Sequence, residues 1–392
     1  MTDLNQIAFT TPEDQFRVAF GEPLTNSLDL ETWQTASNLG DLYGTLENEV
    51  AQSLALDAPA RQAIRDEVFP LIARAPNCPP CAGVYRVSAG DLIAAQRGLL
   101  FRGAVEACNG IAVTHEALGL SVTQVGVCLV SYRADLGSWV HRLYRRDLRE
   151  TSTNPKELAE QVLLQNHAHD VGDGQGGDRL SDLARRGVMA YAERAALVER
   201  STAAWRMGHG NPVSYELLTG SGSPELMLAG LDVLRRLILD HQKFIYVPSS
   251  LAERALLTLG DALRPLEYAI VDTMTDRMRR ISHAGHFSEH DHQRLRRFVD
   301  EVGSKVVIGC YRASAIGPAR IFYAHPDHAH EAALIALADS TLHEHRGFPI
   351  LLDLSDALCR SSFGAGDFAA TLRDAYAQAG QPYAFHQEFS RG

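Results

Sequence analysis

Two carboxylates in an apolar stretch near the end of the chain are the first residues that could take part in chemistry. Asp353 and Asp356 lie in the run that follows Pro349, and their spacing of three places both on one face of a helix. A carboxylate among apolar side chains is costly to bury unless it is paired or binds a metal ion. The pattern therefore predicts a partner for these two acids.

An amide followed by glycine is a second candidate. Asn109-Gly110 lies in an apolar run over residues 99–111, and a second apolar run covers residues 121–132. Both runs are rich in Val and Leu, which predicts two buried strands. An acid or amide at the end of a core strand often begins a metal-dependent site, because the strand fixes the direction of the ligand and glycine permits close approach. Asn-Gly is also a strong turn dipeptide, and a turn is its more common role.

A third carboxylate, Glu216, lies between two apolar segments. Residues 212–222 are predicted to form a strand that ends in a Gly-Ser-Gly turn, with a helix opening at Ser223. A strand carboxylate in such a setting is expected to be paired or bound to a metal ion. The turn lacks the Gly-Lys-Ser/Thr sequence of a P-loop, which excludes nucleotide hydrolysis by that route.

The most basic stretch of the chain follows Trp139. Its arginines recur at spacings of three and four, which predicts that they share one face of a helix. Arginines with aromatic neighbours could hold a phosphate backbone, and a solvated face paired with acids is the alternative. The residues concerned are Arg142, Arg145, Arg146 and Arg149.

Other groups of possible metal ligands lack the spacing of a metal site. The pair Cys78 and Cys81 encloses two prolines and has no second pair, so we interpret it as a stiffened turn. His167 and His169 precede a glycine-rich loop, and the histidines over residues 283–292 follow no strict ligand pattern. We interpret both as loop or helix-start residues.

Composition excludes several classes of protein. The chain has 392 residues, 45% hydrophobic and 22% charged, as in an ordinary soluble globular protein. Its net charge of −11 confines any nucleic-acid contact to a local site. There is neither an apolar run long enough to span a membrane nor a leader-like start, and the cysteines suit a reducing compartment, so we expect a cytoplasmic protein.

The elements that must position these residues divide into two regions. Residues 29–75 show helical periodicity, and the prolines at 76, 79 and 80 end it. We therefore predict an N-terminal helical arm or cap over residues 1–80. Residues 81–392 alternate strand and helix patterns, which predicts an α/β domain with a helical insertion around residues 150–205.

The order of these segments resembles the NurA family of nucleases. That family has an Asp-Gly-Ser at the end of its first core strand, where Asn109-Gly110-Ile111 stands here. A paired strand, an acid-bearing helix and a strand running into an Asp-Gly turn follow in the family. Their counterparts here are residues 125–132, the helix with Glu199, and residues 215–220.

The C-terminal part of the resemblance is its best match. Family members have an Arg-containing strand, a helix, and a Gly-Tyr-Pro segment that runs into Ala-His or Ala-Asp. Residues 320–323, 332–343 and 347–356 follow that order and spacing. The resemblance covers roughly residues 99–359, in order and spacing more than in identity.

The resemblance implies an α/β fold, with an RNase H-like (Piwi-like) mixed sheet flanked by helices, an N-terminal helical arm and helical insertions. It implies a metal-dependent deoxyribonuclease that hydrolyses phosphodiesters with Mn²⁺ or Mg²⁺, and a homodimer that acts with a HerA-like hexameric ATPase. DNA end processing and anti-phage defence are the implied settings.

Carried onto this sequence, the metal ligands would be Glu216, Asp356 and Glu199, assisted by Asn109 or Asp353. One ion would activate water and a second would stabilise the leaving oxygen. The arginines of the basic stretch would offset the repulsion between these acids and DNA.

The chain departs from the family at its metal ligands. Asn109 replaces the first Asp, and a neutral amide is a poorer ligand for a hard cation than a carboxylate. Thr219 stands where the second Asp would be, and Asp356 takes a position often held by His. A non-catalytic subunit of the same fold that scaffolds a motor is therefore the alternative, and an unrelated α/β binding protein is a third hypothesis.

Overall fold

A computed structural model describes most of the chain, in two compact units. The units are Met1–Ala63 and Ile64–Gly392. The smaller unit contains helices α1 (Pro12–Phe20), α2 (Leu24–Leu28) and α3 (Leu39–Ala63), and none of its described side chains is buried. The described residues are 12–33, 39–76, 78–117, 119–146, 156, 183–249, 254–284 and 288–383.

The division after Ala63 lies before the boundary near residue 80 that the prolines predict. Helical turns at Ile64–Val68 and Phe69–Arg74 belong to the larger unit. Arg65 donates hydrogen bonds to Glu267, at 2.6 and 3.2 Å, and Ile72 is buried. These contacts tie residues 64–74 to the α/β unit.

The larger unit is built on one nine-stranded mixed sheet. Its spatial order is β1-β7-β8-β9-β6-β5-β2-β3-β4. The strands are β1 (Gly83–Arg86), β2 (Val105–Ala117), β3 (Leu120–Ser131), β4 (Ala134–Arg145), β5 (Trp205–His209), β6 (Phe244–Val247), β7 (Glu267–Thr273), β8 (Val307–Arg312) and β9 (Arg320–Ala324).

Five of these strands form an RNase H-like core. Strands β2, β3 and β4 are an antiparallel meander, β5 pairs parallel with β2 on its other side, and β6 pairs parallel with β5. Helix α5 (Val188–Glu199) precedes β5, and helix α7 (Pro224–Arg235) connects β5 to β6. The prediction of an RNase H-like mixed sheet flanked by helices is confirmed by this topology.

Alternation along the strands divides the core into two layers, because successive strand residues face opposite sides of a sheet. Trp205 and Met207 of β5 pack in one apolar cluster with helices α11 (Ala329–Ser340) and α12 (Ile350–Phe363). Side chains such as Cys108 and Tyr246 pack in the other cluster, beneath α5 and α7. Helices therefore cover both faces of the sheet.

The remaining helices of the larger unit complete these two layers. They are α4 (Ala89–Ala95), α6 (Tyr215–Thr219), α8 (Arg254–Asp261), α9 (Thr275–Ala284), α10 (Glu289–Val302) and α13 (Ala365–Gln378).

Two sequence-based element predictions are wrong. Residues 139–145 form the second half of β4, not a helix; Trp139, Val140 and Tyr144 suit a strand, and pairing with β3 outweighs the three-and-four spacing of the arginines. Residues 212–222 form a loop and the short helix α6, not a strand. Helix α6 ends at Gly220, whose φ of +57° is the left-handed conformation that glycine adopts without strain.

Two further predictions change in part. Asn109-Gly110 lies inside β2, opposite Cys128 and Val127 of β3, and is not a turn. The predicted helix with Glu199 ends at that residue, and Trp205, inside the insertion predicted around residues 150–205, begins β5. Arg149, His167, His169 and the glycine-rich loop that follows them lie outside the described residues.

Candidate functional site

The candidate site lies where the parallel strands β2 and β5 separate. Their pairing ends at Cys108 opposite Gly208, and Asn109 and His209 are the next residues of each strand. Polar side chains at the carboxyl ends of neighbouring parallel strands are a common setting for a functional site. Helix α12 contacts β2 and β3 from one layer, and α5 contacts them from the other.

Asp356 of α12 meets Asn109. The Nδ2 of Asn109 donates a hydrogen bond to Oδ1 of Asp356 at 3.3 Å, and the Nε of Arg360 donates to Oδ2 at 2.7 Å. The Oδ1 of Asn109 accepts from the backbone N–H of Gly110 at 3.0 Å. Both carboxylate oxygens of Asp356 are therefore engaged by the protein.

Glu193 of α5 lies on the other side of β2. A Cβ added to Gly110 would come within 2.9 Å of Oε1 of Glu193, so glycine is needed for this close approach. Asn109 and Gly110 are adjacent, and their side-chain directions are opposite. Glu193 and Asp356 thus approach β2 from opposite faces, with the strand backbone between them.

Arg194 neutralises Glu193 within the core. Its Nη1 donates to Oε2 of Glu193 at 2.5 Å, and its Nη2 donates to the carbonyl of Asn211 at 2.5 Å. The guanidinium lies 5.4 Å from the ring centroid of Tyr246. Burial raises the pKa of Glu193, and Arg194 opposes that rise. The pair connects α5 to the loop that follows β5.

His209 at the end of β5 is influenced electrostatically by one member of each group, Arg194 and Asp356. Its Nε2 is 2.9 Å from the hydroxyl of Ser249, and its ring centroid is 6.2 Å from that of Phe348. Burial lowers the pKa of His209; Arg194 lowers it further, while Asp356 raises it. The environment therefore favours the neutral imidazole, and the ring has a hydroxyl partner.

The structure brings together two of the acids and amides predicted from the sequence, Asn109 and Asp356. Glu199 ends α5 and pairs with Arg236 at 3.1 Å, while Asp353 forms a twofold ion pair with Arg346 at 2.6 and 2.7 Å. Six residues separate Glu193 from Glu199, which is ~9 Å along a helix.

Glu216 lies in the first turn of α6 and is half-buried. It is close enough to Glu193 to raise the pKa of that residue. Its neighbours Leu217 and Leu218 pack in the same apolar cluster as α5, so α6 lies in the layer that contains Glu193.

The arginines predicted to contact DNA do not form a helical face. Arg142 donates from Nε to Oε1 of Gln124 at 2.8 Å, and its guanidinium lies 5.8 Å from the ring centroid of Phe368. Arg142 and Arg145 point to opposite sides of β4 because strand residues alternate, and Arg146 follows the end of the strand. A shared phosphate-binding face on a helix is therefore excluded for these three.

The donor set does not fit the two-ion centre that the sequence resemblance implies. Across the part of the chain that the structure describes, no group of three or more His, Cys, Asp or Glu side chains is arranged to hold a metal ion. Glu193, Glu199, Asp353 and Asp356 are each paired with an arginine. A hard divalent cation in a protein is normally held by several oxygen ligands, usually carboxylates among them.

Sequence reasoning missed the importance of Glu193, Arg194 and His209. The criterion that selected Asn109-Gly110, a polar residue and glycine at the end of a strand, also selects His209-Gly210. Glu193 was visible only as an acid in an alanine-rich helix. The incorrect strand at 212–222 drew attention to Glu216 instead.

Of three comparisons with known proteins, the one with solved structures returned matches. The sequence matches no protein-family model and no curated protein. Within the described residues, none of the helices is sufficiently long and apolar to cross a bilayer.

The chain is similar in structure to NurA nucleases. The NurA nuclease from Sulfolobus solfataricus shares 8% sequence identity, with 88% of this chain and 98% of that chain covered and a TM-score of 0.47. A second NurA structure has 8% identity, coverage of 85% and 97%, and a TM-score of 0.43. NurA bound to dAMP and manganese has 9% identity, coverage of 84% and 96%, and a TM-score of 0.39.

Proposed function

We propose that this chain is a NurA-like, non-catalytic subunit of a DNA-processing assembly. In this proposal the site around Asn109 and Asp356 holds the fold together rather than cleaving DNA. The observation that carries the proposal is the pairing of acids with arginines. Glu193 pairs with buried Arg194, and Asp356 pairs with Asn109 and Arg360. A site for divalent cations would instead leave carboxylate oxygens available to the metal.

The placement of the two central acids supports the same proposal. Glu193 and Asp356 approach β2 from opposite faces, at Gly110 and Asn109. Two metal ions in a phosphodiester-cleaving centre lie ~4 Å apart and share ligands. Carboxylates separated by a strand backbone are poorly placed to share one ion.

The proposed partners are those that the sequence resemblance implies. They are DNA and a HerA-like hexameric ATPase, with the chain acting as a homodimer in the cytoplasm. DNA end processing and anti-phage defence are both proposed settings.

A metal-dependent nuclease is the second candidate, and the exposure of Arg360 favours it. The Arg360 side chain is 71% exposed and that of Asp356 is 37% exposed. Exposed ion pairs contribute little stability, so Mn²⁺ or Mg²⁺ could displace Arg360 and free Asp356. Asp353, on the same helix as Asp356, and the side-chain carbonyl of Asn109 are the oxygen donors proposed to assist on that face of β2.

Incubation of the purified chain with linear single- and double-stranded DNA separates the two candidates. The chain, Asp356→Ala and Glu193→Gln are each assayed with Mn²⁺ or Mg²⁺, with and without chelator. We expect no chelator-sensitive cleavage by the unchanged chain, together with stable binding to a hexameric ATPase in sedimentation. Cleavage that the chelator stops and Asp356→Ala abolishes would overturn the proposal in favour of the nuclease.

A further inference from the structure

Two thiols lie together beside the contact between Asn109 and Asp356. Cys128 of β3 is the direct cross-strand partner of Asn109, so the two side chains face the same layer, which contains α12. Cys359 reaches the same position from α12, and its Sγ donates a hydrogen bond to the backbone carbonyl of Asn109 at 3.0 Å. Both cysteines are fully buried. Their side chains therefore converge at residue 109, as disulfide formation requires.

The two thiols interact with each other. A hydrogen bond with Cys359 lowers the pKa of Cys128 and outweighs the effect of burial, which raises it. The Ser138 hydroxyl, which donates to Sγ of Cys128 at 3.2 Å, lowers that pKa further. Burial raises the pKa of Cys108, which packs in the opposite layer. Because the thiolate is the nucleophilic form of cysteine, Cys128 is the more reactive of Cys108 and Cys128.

Cys128 lies next to the edge of the sheet. Its partner on β4 is Ser138, which is exposed, and β4 is the last strand in the sheet order. The pairing of β3 with β4 is irregular between Leu129 and Val130, close to Cys128. Such irregularities interrupt the hydrogen bonds between two strands, and segments held by few of these bonds open locally at low cost. Local opening of β4 therefore gives a small oxidant access to Cys128.

We propose that a hydroperoxide oxidises Cys128 and Cys359 to a reversible disulfide between β3 and α12. The thiolate of Cys128 attacks the peroxide, so that an S–O bond forms, the O–O bond breaks, and the leaving oxygen takes a proton from solvent to give an alcohol or water. The sulfur of Cys359 then attacks the sulfenic acid at Cys128. The S–S bond forms, the S–O bond breaks, and the departing hydroxide takes the thiol proton of Cys359 to give water. The two electrons lost by the thiol pair reduce the peroxide.

The disulfide acts on the turn of α12 that carries Asp356. Asp356 lies three residues before Cys359, which is less than one turn of the helix. Joining Cys359 to β3 therefore holds the Asp356 carboxylate beside Asn109. This inference goes beyond the proposed function, because the crosslink holds α12 whether or not the chain cleaves DNA.

Peptide mapping of the full chain tests the crosslink. Cys78→Ser and Cys81→Ser are introduced first, because these two cysteines are partly exposed, and they leave four thiols, all buried. After treatment with hydrogen peroxide and alkylation without reductant, we expect two of the four thiols to be lost and the peptides containing Cys128 and Cys359 to be joined. Dithiothreitol should restore both thiols.

Two further substitutions make the mapping specific. Cys359→Ala should abolish the joined peptide, while Cys108→Ala, which removes a buried thiol from the opposite layer, is the matched control and should leave it unchanged. Four intact thiols at peroxide concentrations that oxidise free cysteine would overturn the proposal. A disulfide that joins any other pair would overturn it as well.

Amide hydrogen exchange tests the effect on α12. In the oxidised chain the backbone amides of α12 are expected to exchange at least ~10-fold more slowly than in the reduced chain, because the crosslink opposes their local opening. The Cys359→Ala chain, treated with peroxide in the same way, should show no such change. Equal exchange rates in the oxidised and reduced chains would contradict a disulfide that holds α12 against β3.

Discussion

Asn109 of β2 donates a hydrogen bond to Asp356 of α12, with Nδ2 and Oδ1 3.3 Å apart. This contact joins residues that are far apart in the sequence, next to the point where the pairing between β2 and β5 ends. A carboxylate at position 109 would have to share this space with Asp356 as a like charge. The amide therefore stabilises an arrangement that an Asp would oppose unless a cation were bound.

Replacing Asn109 by Asp is expected to make stability dependent on divalent cations. Without metal, Asn109→Asp should lower the free energy of unfolding by ~1–3 kcal/mol, because it removes a donor and adds like-charge repulsion. Addition of Mn²⁺ should raise the melting temperature of this variant and not that of the unchanged chain. Asn109→Ala, which removes the hydrogen bond without adding charge, is the control. Equal stabilisation of the unchanged chain by Mn²⁺ would contradict the expectation.

Arg194 is expected to be among the most sensitive positions of the larger unit. Its side chain is 4% exposed, so Arg194→Met leaves the Glu193 carboxylate buried without its cation. This change should lower the free energy of unfolding by ~3–5 kcal/mol. Adding Glu193→Gln to the same chain removes the uncompensated negative charge and should recover much of the lost stability. Urea unfolding measures the free energy of unfolding of the single and the double variant. A double variant no more stable than Arg194→Met would show that the carboxylate is not the source of the cost.

Asp339 is expected to impose a pH dependence on folding. It is fully buried in α11, accepts hydrogen bonds from Tyr132 and from the N–H of Leu351 at 3.0 Å, and burial raises its pKa from 3.8 to about 7. Between those two values the folded state keeps a proton that the unfolded chain has lost. The contribution of Asp339 to stability is therefore largest below pH 4 and falls as the pH rises to about 7.

Asp339→Asn provides the comparison for that pH dependence. The free energy of unfolding of the unchanged chain, minus that of Asp339→Asn, should decrease between pH 5 and pH 7 and then level off. Denaturant unfolding at a series of pH values gives this difference. A difference that stays constant over the range would rule out a raised pKa at Asp339.

The Arg65–Glu267 pair is expected to anchor residues 64–74. Burial alone would raise the pKa of Glu267, but hydrogen bonds from Arg65 and from the N–H of Arg264 lower it below its ordinary value. Its stabilising contribution is present above pH 4.5 and is lost as the pH falls through the lowered pKa. Arg65→Met should cost ~2–3 kcal/mol at pH 7, and less in a chain that already carries Glu267→Gln. A double-mutant cycle in urea measures the coupling free energy between Arg65 and Glu267. A value near zero would contradict a stabilising pair.

Much of the fold follows from local patterns. The apolar runs that become β3, β6, β8 and β9 are bounded by turn residues and rich in residues suited to strands, and the stretch after Pro349 becomes α12. In these segments local preference and tertiary pairing agree. Strand β4 was predicted as a helix, because the spacing of its arginines is typical of a helical face. Helix α6 was predicted as part of a strand, because the segment that contains it ends in a glycine-rich turn.

The site was harder to predict because it depends on which residues lie side by side across β2. Asp353 and Asp356 are on one helix, yet only Asp356 meets Asn109, while Asp353 faces Arg346. Glu193 contributes through a glycine of β2 rather than through a motif of its own. Such relationships come from packing between distant segments, and no local pattern contains them.

The pleat of β2 also limits how this centre can be redesigned. Asn109 and Gly110 are neighbours that face separate layers. A substitution at one of them therefore alters a single layer and does not move the acid in the other layer. An engineer who wants both carboxylates around one ion must therefore reshape the backbone here, for instance with a bulge, and not merely exchange side chains.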